Sequence, residues 1–439
     1  MIPALKTRRI SRTRRTFLRA SAFALAAGLL LAGGAQAQHT RFAVPAGYGL
    51  LPDAVSAGAD TAVQAKTPAA AADTAAAADS TAPADSTPVK LTGWQRFTRF
   101  FTESNKEKRD KKFDFSIIGG PFYSNDVKVG LGLVASGLYR VDRSDTLFQP
   151  SNVSLFSSVA TSGFYMVGIR GTNIFPRDRY RLNYLLYTFS FPSAFWGIGY
   201  DMAADNANAS QYTRKQNQVK VDFQFRIAKN LYLGPVASFD YVDGLRFDRP
   251  ELLLGQDASV LSFGMGFVLN YDSRDVMTNA YKGWYVRLEQ YANPKWLGNK
   301  YAYGRTDLIV DFYQKLWKGA VLAFDFHTQH NYGDVPWTMM AKLGGSYRMR
   351  GYYEGRYRDN NLTEIQMELR QHIYNRHGLA AWVGAGNVYK DFKTFRWGHT
   401  LPNYGIGYRW EFKKRVNVRL DYGFGKGQNG FLFQINEAF

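Results

Sequence analysis

The chain has 439 residues and a formal charge of +19, enough for one large domain or for two or three small ones. It lacks cysteine, which excludes disulfides, thiolate metal sites, cysteine nucleophiles and a lipid-modified cysteine anchor. Aromatic residues make up 16% and glycines number 41, yet mean hydropathy is only -0.32 and no apolar run beyond the N-terminus could form a membrane helix.

Residues 1–37 read as an export signal. Arg8, Arg9, Arg12, Arg14, Arg15 and Arg19 form a basic start, Ala20 to Ala32 an apolar stretch, and Ala35-Gln36-Ala37 a small-residue cleavage site. The run Thr13 to Arg19 resembles a twin-arginine signal, which carries folded cargo. A chain that must cross the inner membrane unfolded does not fit that route, so the arginines are read as an unusually basic start. Residues 38–91 are a linker rich in Ala, Thr, Asp, Ser and Pro, too poor in large apolar side chains to offset the entropy of ordering. In 92–112, Trp94, Phe97 and Phe101 recur at helical spacing before the basic run Lys106 to Lys112, which predicts a short amphipathic helix and a basic segment. A spacer with scattered aromatics is the alternative. The leader and this run hold much of the positive charge and no basic recognition helix accompanies it, so no nucleic-acid partner is expected.

From Phe113 to Phe439 the period becomes two. Val219, Val221, Phe223 and Phe225 alternate with Lys220, Asp222, Gln224 and Arg226. Val416, Val418, Leu420, Tyr422 and Phe424 alternate with Asn417, Arg419 and Asp421. A charged face recurring along the whole segment points to lipid on one side and water on the other. Strands are predicted near 113–122, 127–140, 151–161, 163–174, 180–191, 216–227, 231–242, 258–271, 283–292, 303–317, 320–330, 362–373, 379–390, 403–413, 416–425 and 430–439. The fold class is therefore all-β, a transmembrane antiparallel barrel of about sixteen strands, with both ends of the barrel periplasmic. With that parity, Leu343 to Asp359 (LGGSYRMRGYYEGRYRD) falls in the sixth extracellular loop. Paired glycines, four tyrosines and four arginines suit a loop that folds back onto something better than one that seeks water.

The residues Met349-Arg350-Gly351-Tyr352 resemble the loop signature of the BamA/TamA-like outer-membrane assembly-factor superfamily, also called the bacterial surface antigen family. Three further stretches carry the resemblance. Asp272-Ser273-Arg274-Asp275 followed by Gly283 resembles the periplasmic turn after the eighth strand, and also reads as a plain turn. Glu368-Leu369-Arg370 resembles the twelfth strand. Phe431, Phe433, Ile435 and the terminal Phe439 resemble the closing strand, with an aromatic terminus that is also a general address of outer-membrane barrels. The resemblance implies that the sixth loop enters the lumen and that Arg350, with Gly351 and Tyr352, docks on acidic wall residues. The thirteenth strand departs from the pattern: in Trp382-Val383-Gly384-Ala385-Gly386-Asn387-Val388 the usual aspartate is Gly384. Glu368 is then the expected partner of Arg350, since a buried guanidinium needs a carboxylate. The alternative is an Arg350 bonded only to backbone carbonyls and water.

The resemblance implies a bacterial outer-membrane protein that assists insertion or translocation of outer-membrane proteins through a seam between the first and last strands. Its expected partners are outer-membrane lipid and unfolded outer-membrane proteins or other envelope assembly components. The family's periplasmic POTRA modules are not expected, because the low-complexity tract Ala54 to Pro88 has neither their length nor their pattern. The other reading is a structural or pore-forming barrel subunit of an envelope complex. An enzyme is not expected: of the histidines His39, His327, His330, His372, His377 and His399, His327 and His330 lie three apart on a predicted strand and point to opposite faces, His372, His377 and His399 show no serine or carboxylate partner by spacing, and no phosphate-cradling loop appears. No cofactor or metal is implied. Trp196, Trp284, Trp337 and Trp410 are read as interfacial girdle residues.

Overall fold

The computed structural model describes residues 113–124, 128–139, 151–413 and 415–439; the expected signal, linker and amphipathic segment in 1–112 lie outside the described residues. The strands are β1 (Phe113–Ser124), β2 (Lys128–Tyr139), β3 (Ser151–Ala160), β4 (Tyr165–Ile174), β5 (Tyr180–Phe195), β6 (Ser210–Ala228), β7 (Leu231–Leu245), β8 (Ser259–Asp272) and β9 (Gly283–Asn293). They continue as β10 (Tyr303–Lys315), β11 (Ala320–Gly333), the short β12 (Ala341–Lys342) and β13 (Arg358–Asp359), then β14 (Asn361–Tyr374), β15 (His377–Tyr389), β16 (Leu401–Lys413), β17 (Val416–Gly425) and β18 (Gln428–Ile435). Sixteen form one antiparallel meander in chain order, and β12 pairs with β13 inside the loop that interrupts it.

Wall strands such as β6 and β14 alternate as a wall between two solvents requires. On β14, Ile365 and Met367 are 42% and 44% exposed, whereas Glu368 between β11 and β15 is 0% exposed. Val219 and Phe225 on β6 face out, while Asp222 and Gln224 are buried. In water the outer face would be a large sticky surface, and in a bilayer it is the contact with lipid. The inner face is polar and paired: Arg287 lies 2.8 Å from Asp222 and 2.7 Å from Glu289, which Lys220 meets at 2.9 Å.

The sheet is curled into a barrel. Lys426 Nζ in the β17–β18 turn lies 3.0 Å from Tyr200 Oη in the β5–β6 loop, groups a flat sheet would hold about 50 Å apart at the usual strand spacing. Among the described residues, β1 and β18 stand at the two ends of the ladder, each with one partner strand.

Two expectations are corrected. The last strand ends at Ile435, not Phe439: Asn436 takes φ 71°, its N–H donates to Asn417 O at 2.6 Å, and the tail turns inward. Trp196 and Trp337 are not girdle residues. Both are buried, Trp337 against Phe195, Tyr212 and Phe247 and Trp196 against Tyr353, because the long extracellular loops pack on one another over the barrel mouth.

Candidate functional site

The long loop 334–360 between β11 and β14 runs into the barrel. Its two arms are zipped by Ala341↔Asp359 and Lys342↔Arg358, then by Leu343 N–H to Tyr357 O and Gly355 N–H to Leu343 O, both 3.0 Å. The tip turns at Met349 (φ 46°) and Gly351 (φ 106°). Gly351 fits for a reason beyond its dihedral angle: a Cβ there would lie 2.5 Å from Gly423 O on β17, and a Cβ on Gly423 would lie 2.1 Å from Arg350 O. Two glycines let the loop backbone rest directly on the wall.

That approach delivers Arg350, 0% exposed, to a prepared socket. Its Nη1 donates to Asp421 Oδ2 at 2.8 Å, and its Nη2 lies 2.6 Å from Glu368 Oε2 as an ion pair not aligned along the N–H. Its guanidinium stacks 3.6 Å over the Trp382 ring, where the π face favours a cation. Asn403 orients both parts, accepting from Trp382 Nε1 at 2.9 Å and donating to Arg350 O at 2.5 Å. Three further arginines surround the carboxylates. Arg370 Nε is 2.7 Å from Glu368, Arg409 is 2.5 Å from Asp421 and 2.8 Å from Glu437, and Arg419 is 2.6 Å from Asp421 while donating to Ser346 O of the loop at 2.6 Å.

Neighbouring loop residues extend the grip. Arg348 pairs with Asp325 of β11 at 2.7 Å, and Tyr352 Oη donates to Pro402 O at 2.7 Å. Tyr353 N–H donates to Gln428 Oε1 on β18 at 2.9 Å, so the loop touches the last strand itself.

The opposite end is closed by the β8–β9 turn and the C-terminal tail. Arg274 makes two 2.9 Å bonds to Asp272 and stacks 4.1 Å over Tyr285. Asp275 accepts from Tyr281 N–H at 2.9 Å and pairs with Arg415 of the β16–β17 turn at 2.6 Å. Gly283 closes the turn at φ 113°, where a Cβ would lie 2.4 Å from Ser273 O. The turn's Ala280 packs with Tyr313, Ala323, Ala438 and Phe439. Phe439 is therefore inside, its carbonyl accepting from Arg370 at 2.8 Å. Phe433 faces out on β18, Phe431 pairs with Tyr422, and Ile435 ends the ladder opposite Val418.

The structure thus brings Arg350, Gly351, Tyr352 and Glu368 together, and sets Asp272, Arg274, Asp275 and Gly283 in one turn at the other end. Sequence reasoning missed Asp421, Trp382 and Glu437. With Gly384 where the thirteenth-strand aspartate stands in the family pattern, the second carboxylate comes from β17. Asp421 already lay on the charged face of its strand and could have been found by asking which inward carboxylates the loop tip can reach. His327 also has carboxylate neighbours that spacing hid, Glu364 at 2.7 Å and Asp307 at 3.3 Å, buried in the wall. His330 points out of the barrel, and no cluster able to hold a metal ion occurs among the described residues.

Residues 171–439 match the Omp85 superfamily domain. Among solved structures the chain is similar to BamA from Haemophilus ducreyi lacking POTRA domains 1-3, at 14% identity over 73% of this chain and 69% of that one, with a TM-score of 0.47. It is also similar to CdiB from Escherichia coli (10% identity, 73% and 60% covered, TM-score 0.49) and to CdiB from Acinetobacter baumannii (11%, 72% and 56%, TM-score 0.45). The match spans less than two thirds of either CdiB chain. No curated protein sequence matches.

Proposed function

Because the chain belongs to the Omp85 superfamily and is an outer-membrane β-barrel, we propose that it assists insertion or translocation of outer-membrane proteins along the edge between β1 and β18. One observation carries the reading: among the described residues the first and last strands each have a single neighbour. Edge N–H and C=O groups lack partners there, and an incoming strand can supply them by β-augmentation.

The edge is also uneven. β1 has 12 residues and β18 only 8, because the tail leaves the wall after Ile435. Among the described residues neither of these two strands pairs with the other. A substrate hairpin pairing with β1 would gain backbone hydrogen bonds that β18 does not offer, while the docked loop braces β18 through Gln428. The chemistry is hydrogen-bond exchange, and neither nucleotide nor metal enters it. Unfolded outer-membrane proteins and envelope assembly components are the proposed partners, with residues 113–439 as the membrane-embedded domain. An open pore is the weaker reading, since loop, turn and tail all occupy the interior.

Because the chain has no cysteine, single cysteines can be introduced cleanly. Crosslinking of a nascent barrel protein to cysteines at Ile117 on β1 and Leu432 on β18, with Val219 on β6 as the mid-sheet control, tests the reading. Adducts are expected at the two edge strands and not at β6. A barrel with no part in assembly gives none, or gives them evenly.

A further inference from the structure

The loop between β15 and β16, residues 390–400, serves neither the lock nor the edge. Its aromatic residues are folded over the outside of the wall. His327 faces the interior and His330, three residues on, faces out; Val388 is packed inside and Tyr389, its neighbour, faces out. Phe392 lies 4.9 Å from the His330 ring and 5.9 Å from that of Tyr389, Phe395 lies 5.3 Å from Tyr389, and Trp397 lies 5.1 Å from Phe395. Phe392 is 74% and Trp397 82% exposed.

Three cations are interleaved with these rings at intervals of three: Lys390, Lys393 and Arg396. All are exposed, and among the described residues none has a carboxylate within ion-pair distance. The one acidic side chain of the segment, Asp391, is occupied in a capping box, accepting from Lys393 N–H at 2.9 Å and Thr394 N–H at 3.0 Å. Asn387 Nδ2 holds the far side of the loop through Arg396 O at 2.9 Å. The display is cationic and aromatic, and it sits on the lipid-facing side of the rim.

We propose that this loop is a docking site for the phosphorylated headgroup of an outer-leaflet glycolipid. Lys393 and Arg396 meet the phosphate oxygens, and Phe392 and Trp397 lie at the boundary between sugar and acyl chains, where amphipathic rings settle. Charge complementarity selects this occupant: a neutral lipid surface would leave the cations without counter-charge, whereas each cation near an anionic surface strengthens attachment roughly fivefold. The inference rests on the barrel's orientation, with the β15–β16 loop outside the cell.

Two measurements decide it. First, native mass spectrometry of the full chain in detergent compares retention of diphosphoryl lipid A, dephosphorylated lipid A and phosphatidylcholine. The wild type should retain the diphosphoryl form preferentially. Lys393→Gln with Arg396→Gln should weaken that retention roughly tenfold or more, and Trp397→Ala by less. Equal retention by the double variant, or equal affinity for the dephosphorylated lipid, overturns the proposal. Should the double variant not fold, Lys393→Gln alone, on an exposed side chain, decides by the same comparison with an expected loss of roughly fivefold. Second, a Lys393→Cys variant should react with a membrane-impermeant maleimide on intact cells. Failure to label while the barrel is folded overturns the orientation, and with it this site, whereas the edge reading is decided separately by the crosslinking of β1 and β18.

Discussion

The loop tip and the last strand touch through Tyr353 and Gln428, yet they are held in opposite ways. Arg350 is fixed by two carboxylates, an indole face and a notch made by two glycines, with no part of it open to solvent. β18 is fixed by one ladder of eight residues, and its continuation has been drawn off into the interior by Asn417 and Arg370. The interior is over-determined and the edge is under-determined. On the proposed function, the edge strand would open without first dismantling the structure that braces it, because the strong contacts are not the ones that would have to break.

The largest effect should come from the socket. Four guanidiniums, those of Arg350, Arg370, Arg409 and Arg419, share three carboxylates, Glu368, Asp421 and Glu437, a surplus of one positive charge. Asp421→Asn raises the surplus to two and removes one carboxylate partner from three arginines at once, the only one among the described residues in the case of Arg419. The expected cost is about 3–5 kcal/mol, as for other broken buried pairs, read by urea unfolding in lipid vesicles. Arg350→Ala should cost less, although it removes the tip itself, because the remaining charges balance. The opposite ranking would mean that the stacking on Trp382, rather than charge, holds the loop.

Next comes the contrast in backbone stability. Amide exchange in 428–435 should run at least about 100-fold faster than in 362–371, since β18 can open locally whereas β14 is flanked by β11 and β15 and carries Glu368. Equal protection would close the edge and remove the basis of the proposed mechanism.

Most of the wall was legible in the sequence because a strand between lipid and water writes its period into every second residue. Fifteen of the sixteen expected strands lie within a few residues of their observed bounds, and β6, which starts at Ser210 rather than Gln216, is off by six residues, Ser210 to Lys215, whose sequence is mostly polar on both faces so that alternation of apolar and polar residues fades. The lock was legible only in part. Arg350 and Glu368 could be named from motifs, but the contribution of Asp421 depends on which strand lies beneath the loop tip, a matter of barrel curvature that no local pattern encodes. The inward turn of Phe439 was not legible either. Phe431 to Phe439 alternates well as a strand, and what overrides the pattern is tertiary: the inward-facing Arg370 of β14 and Arg409 of β16 draw the tail's carbonyl and Glu437 into the interior.

A smaller effect sharpens the same contrast from the packing side. Gly423→Ala puts a methyl within 2.1 Å of Arg350 O, so the tip must shift while the charges stay. About 1–3 kcal/mol is expected from such overpacking. Trypsin added outside the cell should then cut at Arg348 or Arg350, which the wild type protects, while exchange in 428–435 should hardly change. Exchange rising in both places together would mean that the bracing through Gln428 governs the edge.

The smallest effect belongs to Arg415→Gln. Its pair with Asp275 is 2.6 Å long but partly exposed, at 15% and 23%, and such pairs contribute about 1 kcal/mol or less. The guanidinium also lies 3.4 Å over Tyr281 and ties the β8–β9 turn to the β16–β17 turn, beneath the socket and on the far side from the loop. If the lock is held by its own contacts, the substitution should loosen 273–282 in amide exchange and leave trypsin protection of the loop intact. If protection falls as well, turn, tail and loop form one cooperative plug, and the edge strand is braced by the whole interior rather than by Arg350 and its neighbours.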